Sequence, residues 1–139
     1  SEYPPEHFIG KGHLIDAKNQ QNIQESLLKN HQIKAGDIVI VHTGWCQKFN
    51  TPEYYQSYPQ ISENFAQRLV DLKVKILGLD TPSPDSEPFP IHKILLKNNI
   101  LIIENLTNLE ALRNPFRIVA LPPKIMADAA PLRVIAEIQ

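Results

Sequence analysis

Residues 74–105 read VKILGLDTPSPDSEPFPIHKILLKNNILIIEN, and this stretch decides the fold. Residues 74–79 and 100–103 are short runs of Val, Ile and Leu, the composition of strands buried on both faces. Between them Ile91, Leu95 and Leu96 recur at helical spacing over 91–97, with Pro88 and Pro90 just ahead and Asn98-Asn99 as a stop. Strand, Pro-rich loop, helix and strand make a βαβ unit. With the usual right-handed crossover the two strands are parallel, and their carboxyl ends share one edge of the sheet with the start of the helix. Asp80 ends the first strand, Glu104 ends the second, and His92 stands in the first helical turn. Three side chains suited to metal binding or proton transfer are therefore expected on one edge.

The rest of the chain extends this pattern. Upstream, GHLID at 12–16 is a candidate strand; Asn22 followed by Glu25 predicts a helix start, with Ile23, Leu27 and Leu28 on its apolar face and an end near Asn30. Gly36 offers a left-handed position in the IKAGD turn at 33–37. The IVIVH that follows predicts a central strand over 38–42, running into Thr43-Gly44-Trp45. Residues 47–60 are a polar loop carrying Tyr54, Tyr55 and Tyr58, long enough to serve as a lid or an interface. Ser62 is a candidate N-cap for a helix over 63–73 with Phe65, Leu69 and Leu72 on one face. Downstream, Leu106, Leu109 and Leu112 suggest a short helix or 3₁₀ turn, and strands are expected over 116–121 and 132–138. The order of elements predicts one α/β domain over residues 1–139, its mixed sheet combining a parallel βαβ core with antiparallel strands.

Composition narrows the function classes. A chain of 139 residues with 42% apolar and 21% charged residues suits a globular fold with a substantial core. A formal net charge of -1, with both signs mixed along the chain, gives no electrostatic footprint for nucleic acid or an anionic membrane. The single cysteine, Cys46, excludes an internal disulfide and fits a reducing compartment. No apolar run approaches the roughly 18 residues of a membrane span, so a cytoplasmic protein is expected. The chain begins at Ser1 with no initiator Met, and an upstream segment is expected.

Asp80, Asp85, His92 and Glu104 lead the candidates, because a His nitrogen with carboxylate oxygens suits a hard or borderline divalent ion. The alternative is structural: the aspartates cap turns, His92 caps a helix and Glu104 is a strand-end charge. His42 leaves a buried strand beside Gly44 and Trp45, where a ligand would meet an aromatic wall, although a strand-end histidine is often just packed. Cys46 has no histidine at a supporting spacing and reads as a packed thiol, while His7, His13 and His31 are expected on the surface. The absence of a phosphate loop, GxSxG, HExxH and CxxC removes support for phosphoryl transfer, serine hydrolysis and zincin chemistry.

Several phrases together resemble the putative cyclase family, which includes bacterial kynurenine formamidase. They are FIGKGHLIDA at 8–17, GDIVIVHTGW at 36–45, LGLDTPSPD at 77–85, PIHKILLKNNILIIENLTNLEAL at 90–112 and ALPPKIMADAAPLRVIAEI at 120–138. The resemblance implies a swivelling β/β/α fold and hydrolysis of amide or lactam bonds in a small-molecule substrate, with one or two zinc or manganese ions making water reactive near neutral pH. It places His92 and Glu104, twelve residues apart, as metal ligands, and Asp80 and Asp85 in the loop beside them. His42 replaces the arginine of the family's usual RTGW.

The family's main metal motif, HxGTHxDxP with a following histidine as proton donor and acceptor, does not occur in this sequence. His7 lies in a context that resembles the segment after it and is not assigned as the base. A working zinc site has three protein ligands and a water, so His92 and Glu104 make an incomplete one. Two readings follow. In the first, the chain is the N-terminally truncated part of a metal-dependent hydrolase; in the second, it is a non-catalytic relative binding a small molecule or a partner subunit through Trp45 and Tyr54, Tyr55 and Tyr58. A sheet without its first strands is also expected to form homo-oligomers.

Overall fold

The computed structural model describes residues 3–138. Its main sheet has six strands in the order β6-β5-β3-β1-β7-β8. They are β1 (Ile9–Asp16), β3 (Ile38–His42), β5 (Ile76–Leu79), β6 (Leu101–Ile103), β7 (Phe116–Val119) and β8 (Ile135–Ile138). Two-residue strands β2 (Asn22–Ile23) and β4 (Gln60–Ile61) form a separate ladder. Two α-helices, α1 (Glu63–Asp71) and α2 (Pro90–Lys97), complete the regular structure. β1, β3, β5 and β6 are mutually parallel, whereas β7 and β8 join antiparallel. The mixed α/β architecture is the one read from the sequence, with β3 central and Ile76 in register with Leu101 across the βαβ unit.

Alternation along the strands divides the core into two layers. Ile15, Val39, Val41, Leu77 and Leu79 point to the helical side, where Phe65 and Leu69 of α1 and Ile91 and Leu95 of α2 cover them. Ile38, Ile40 and Ile76 point the other way, against Leu106, Leu109, Leu112 and Phe116. Gly78 gives these side chains room, because a Cβ at that position would lie 2.7 Å from Ile40 Cδ1 and 2.9 Å from Leu106 Cδ1 and both methyls would have to shift. Gly36 adopts φ 84°, the left-handed turn before β3. Ser62 caps α1 by accepting a hydrogen bond from Phe65 N–H at 3.1 Å.

Several expectations change. The helix expected over 22–30 is replaced by β2 and a 3₁₀ turn, Glu25–Leu28. Ile23 pairs with Ile61, and Ser62 N–H donates to Ile23 carbonyl at 3.0 Å, so a distant segment takes the backbone groups a helix would have used. The loop at 47–60 is partly ordered by 3₁₀ turns Trp45–Lys48 and Pro52–Tyr55. The last two strands are shorter than their apolar runs. Among the described residues no helix is long and apolar enough to cross a membrane.

The histidines expected on the surface are not all there. His13 is 6% exposed, because alternation along β1 puts it on the same face as the buried Ile15, towards the helical layer. His7 is half-buried and its Nε2 is enclosed without a hydrogen-bond partner.

Candidate metal centre

The parallel strands bring their carboxyl ends together, and the backbone continues the pairing past them. Leu106 N–H donates to Leu79 carbonyl and Asn105 N–H to Thr81 carbonyl, both at 3.0 Å. Glu104 is thereby held beside the loop that leaves β5. That loop, rich in proline, carries Asp85 back beneath the first turn of α2, where Pro90 needs no N–H partner.

Asp85 does two jobs at once. Its Oδ2 accepts hydrogen bonds from the N–H groups of Ile91 at 2.7 Å and His92 at 3.3 Å, capping a helix whose own N-cap residue, Phe89, has no capping side chain. Its Oδ1 lies 2.6 Å from His92 Nδ1. The carboxylate is almost fully buried, so it fixes the imidazole plane and leaves Nε2 facing outward. Glu104 Oε1 stands 3.4 Å from that Nε2. The side chains of His92 and Glu104 keep 28% and 32% of their surface exposed, which makes both reachable from solvent. Burial raises the Glu104 carboxyl above its ordinary value, His92 opposes that rise, and Asp85 adds to it.

Asp80 plays a different part. Wholly buried, it accepts from Thr43 N–H at 3.0 Å and Thr43 hydroxyl at 2.6 Å on Oδ1, and from Gly44 N–H at 2.8 Å on Oδ2. With its oxygens engaged this way it ties the end of β3 to the end of β5. Tyr54 is also buried, and its hydroxyl donates to Asn105 Oδ1 at 2.8 Å, next to Glu104. Tyr58 hydroxyl donates to Asp85 carbonyl at 2.7 Å. Two of the three tyrosines therefore brace the site from behind, and Tyr55 alone is largely exposed.

His42 ends β3 at 8% exposure, in register with Asp16, and no interaction joins it to His92 or Glu104 among the described residues. Trp45 Nε1 donates to Tyr54 carbonyl at 2.8 Å, and Lys48 Nζ sits 4.4 Å from the indole ring centroid. Trp45 and Gly44 wall a cavity of about 410 Å³ that also reaches Lys18 and Lys48. The Cys46 thiol is pushed up to about 11, chiefly by burial and then by Asp80.

The bracing tyrosines and the double role of Asp85 were not legible beforehand. An Asp placed a few residues ahead of a helix-starting proline was the available signal for the latter. The imidazole and carboxylate present fit two positions around a divalent ion, with Asp85 orienting the imidazole. Among the described residues, no group of three or more His, Cys, Asp or Glu side chains is placed to hold a metal.

The sequence profile of a family described as putative cyclase matches residues 1–86. An uncharacterised protein of Methanocaldococcus jannaschii is 34% identical over 132 residues, covering 91% of this chain and 63% of that protein. A kynurenine formamidase of Delftia acidovorans is 29% identical over 133 residues, covering 93% of this chain and 58% of its own. Among solved structures, a potential metal-dependent hydrolase with cyclase activity superposes with a TM-score of 0.83 at 26% identity, covering 94% of this chain and 66% of the other. Isatin hydrolase A of Labrenzia aggregata shares the fold, with a TM-score of 0.89 at 21% identity over 99% of this chain and 64% of the other. The chain thus spans about three fifths of the length of the curated relatives it matches.

Proposed function

Because the chain belongs to the putative cyclase family, we propose that it contributes His92 and Glu104 to the metal site of a hydrolase acting on amide or lactam bonds of a small molecule. The observation that carries this reading is the Asp85–His92–Glu104 arrangement, a buried carboxylate holding an imidazole whose free nitrogen meets a second, accessible carboxylate. Zinc or manganese bound there supplies Lewis acidity toward a carbonyl oxygen and toward water. The chain's own part is positional. Asp85 fixes the His92 ring, Asn105 and Tyr54 anchor the backbone next to Glu104, and Asp80 keeps the two strand ends at a constant separation. The remaining ligands and the proton-transfer group come from outside the described residues.

Incompleteness makes a specific expectation testable. Elemental analysis after dialysis is expected to show less than one zinc or manganese per chain, and titration with excess zinc should give weak binding that Glu104→Ala abolishes. One or two tightly held ions per chain would overturn the expectation of weak binding and mean that further ligands come from a neighbouring copy, whereas binding retained in Glu104→Ala would overturn the assignment of Glu104.

A second reading, a non-catalytic domain that binds a small molecule, is favoured by the cavity beside Trp45, with its aromatic wall and two lysines. Saturable binding of small aromatic carboxylates without hydrolysis of formamide or lactam substrates, even with added metal, would select it. In either reading the partners are a small molecule and a second copy of this chain, and a cytoplasmic location is the working expectation.

A further inference from the structure

The free edge of the sheet carries a sequence that is complementary to itself. Among the described residues β8 pairs only with β7, and no other segment gives a backbone hydrogen bond to residues 132–138. The alternation of burial that marks a strand begins before β8. Leu132, Val134 and Ala136 are partly buried against the core layer that holds Ile38 and Phe116, whereas Arg133, Ile135 and Glu137 are exposed on the other face. Residues 132–138 thus present one edge with two faces. Free edges are commonly blunted by lysines, prolines or bulges. This one has no lysine or proline, and instead carries a cation and an anion placed symmetrically about Ile135.

Two identical strands that pair antiparallel are related by a two-fold axis, and residues opposite one another point to the same face of the sheet. With Ile135 on that axis, Arg133 faces Glu137 of the second copy and Glu137 faces its Arg133. On the other face Leu132 meets Ile138, and Val134 meets Ala136, so the core layer continues across the junction. Other positions of the axis do worse. At Val134 or Ala136 a charge is set against Ile135, and at Arg133 or Glu137 like charges meet on the axis. Within one chain Glu137 Oε2 already lies 3.5 Å from Arg117 Nη1 across β7 and β8. In the paired state each Glu137 stands between two guanidinium groups, giving a row of alternating sign. Such exposed ion pairs select the register, while strand hydrogen bonds and the covering of Ile135 and Ile138, each about half exposed, supply the affinity.

We propose that this chain forms a two-fold dimer in which β8 pairs antiparallel with β8 of a second copy, centred on Ile135, joining the two main sheets into one. The junction is at the opposite end of the sheet from β6 and is independent of the hydrolase reading.

The test is sedimentation velocity at low ionic strength on the full chain and on Arg133→Glu and Glu137→Arg, with circular dichroism to check that each is folded. The native chain is expected to pass from monomer to dimer with rising concentration. Each variant alone sets like charges across the axis and should associate about tenfold more weakly. An equimolar mixture of the two should recover the native association, because each supplies the charge the other lacks. Arg133→Glu combined with Glu137→Arg in one chain exchanges the charges, is expected to associate as the native chain does, and replaces the mixture should a single variant not fold. A native chain that stays monomeric, single variants that associate as the native does, or a mixture or double variant that gains nothing over the single variants would overturn the proposal.

Discussion

His7 shows how much a single buried nitrogen can reveal about a residue. Its Nε2 is enclosed without a partner, and burial, reinforced by the nearby Lys75 ammonium, holds the imidazole below its ordinary value. As pH falls through about 6.5, the unfolded chain takes up this proton before the folded one does. The stabilisation is therefore full above that pH and declines below it, through the lower folded value. Urea midpoints measured from pH 8 to pH 5 should drop more for the native chain than for His7→Asn, and parallel curves would contradict this. At the same scale, Asp80, Asp85 and Asp37 are three buried carboxylates with three separate tasks: a brace, a helix cap that also aims an imidazole, and a partner for His13.

Among the elements, α2 matters most to the proposed site, because its first turn is both the mount for His92 and the surface capped by Asp85. Losing a side-chain cap costs about 0.5 to 2 kcal/mol in helices generally. Asp85→Ala is expected to lower stability by about that amount in chemical denaturation. It should also free the His92 ring, seen as mixed tautomers in nitrogen NMR where the native chain shows one. An unchanged tautomer would mean that the ring is held by something other than Asp85. The βαβ unit around α2 was readable in advance, since its apolar runs and its proline-flanked helix are local signals. The segment over 22–30 was not, because β2 forms only when Ile23 meets Ile61, thirty-eight positions along the chain.

For the molecule as a whole, the exposed edge of the sheet is the remaining feature. Among the described residues β8 pairs on one side only, with β7, and Ile135 and Ile138 are about half exposed; Met126, nearby in sequence, is fully exposed. An unpaired apolar edge invites a second strand. Sedimentation velocity is expected to show concentration-dependent association, reduced by Ile135→Lys on that edge. A monomer at every concentration would rule out a homo-oligomer built on β8.

Periodicity alone determined the class of fold, the central position of β3, the capped helix α1 and the placement of Asp80, Asp85, His92 and Glu104 around one edge, because those features follow from apolar spacing within a few residues. The family resemblance already set His92 and Glu104 apart from the two aspartates, but the physical reason for the division lies in the tertiary structure. Asp80 is consumed by Thr43 and Gly44, Asp85 turns inward to the helix start, and His92 and Glu104 are left facing each other with solvent access. The pairing of His13 with Asp37 was likewise out of reach, since neither residue carries a local mark of it. Hydrogen bonds between side chains on different strands depend on register and on which face each residue takes, and both are fixed only when the whole sheet assembles.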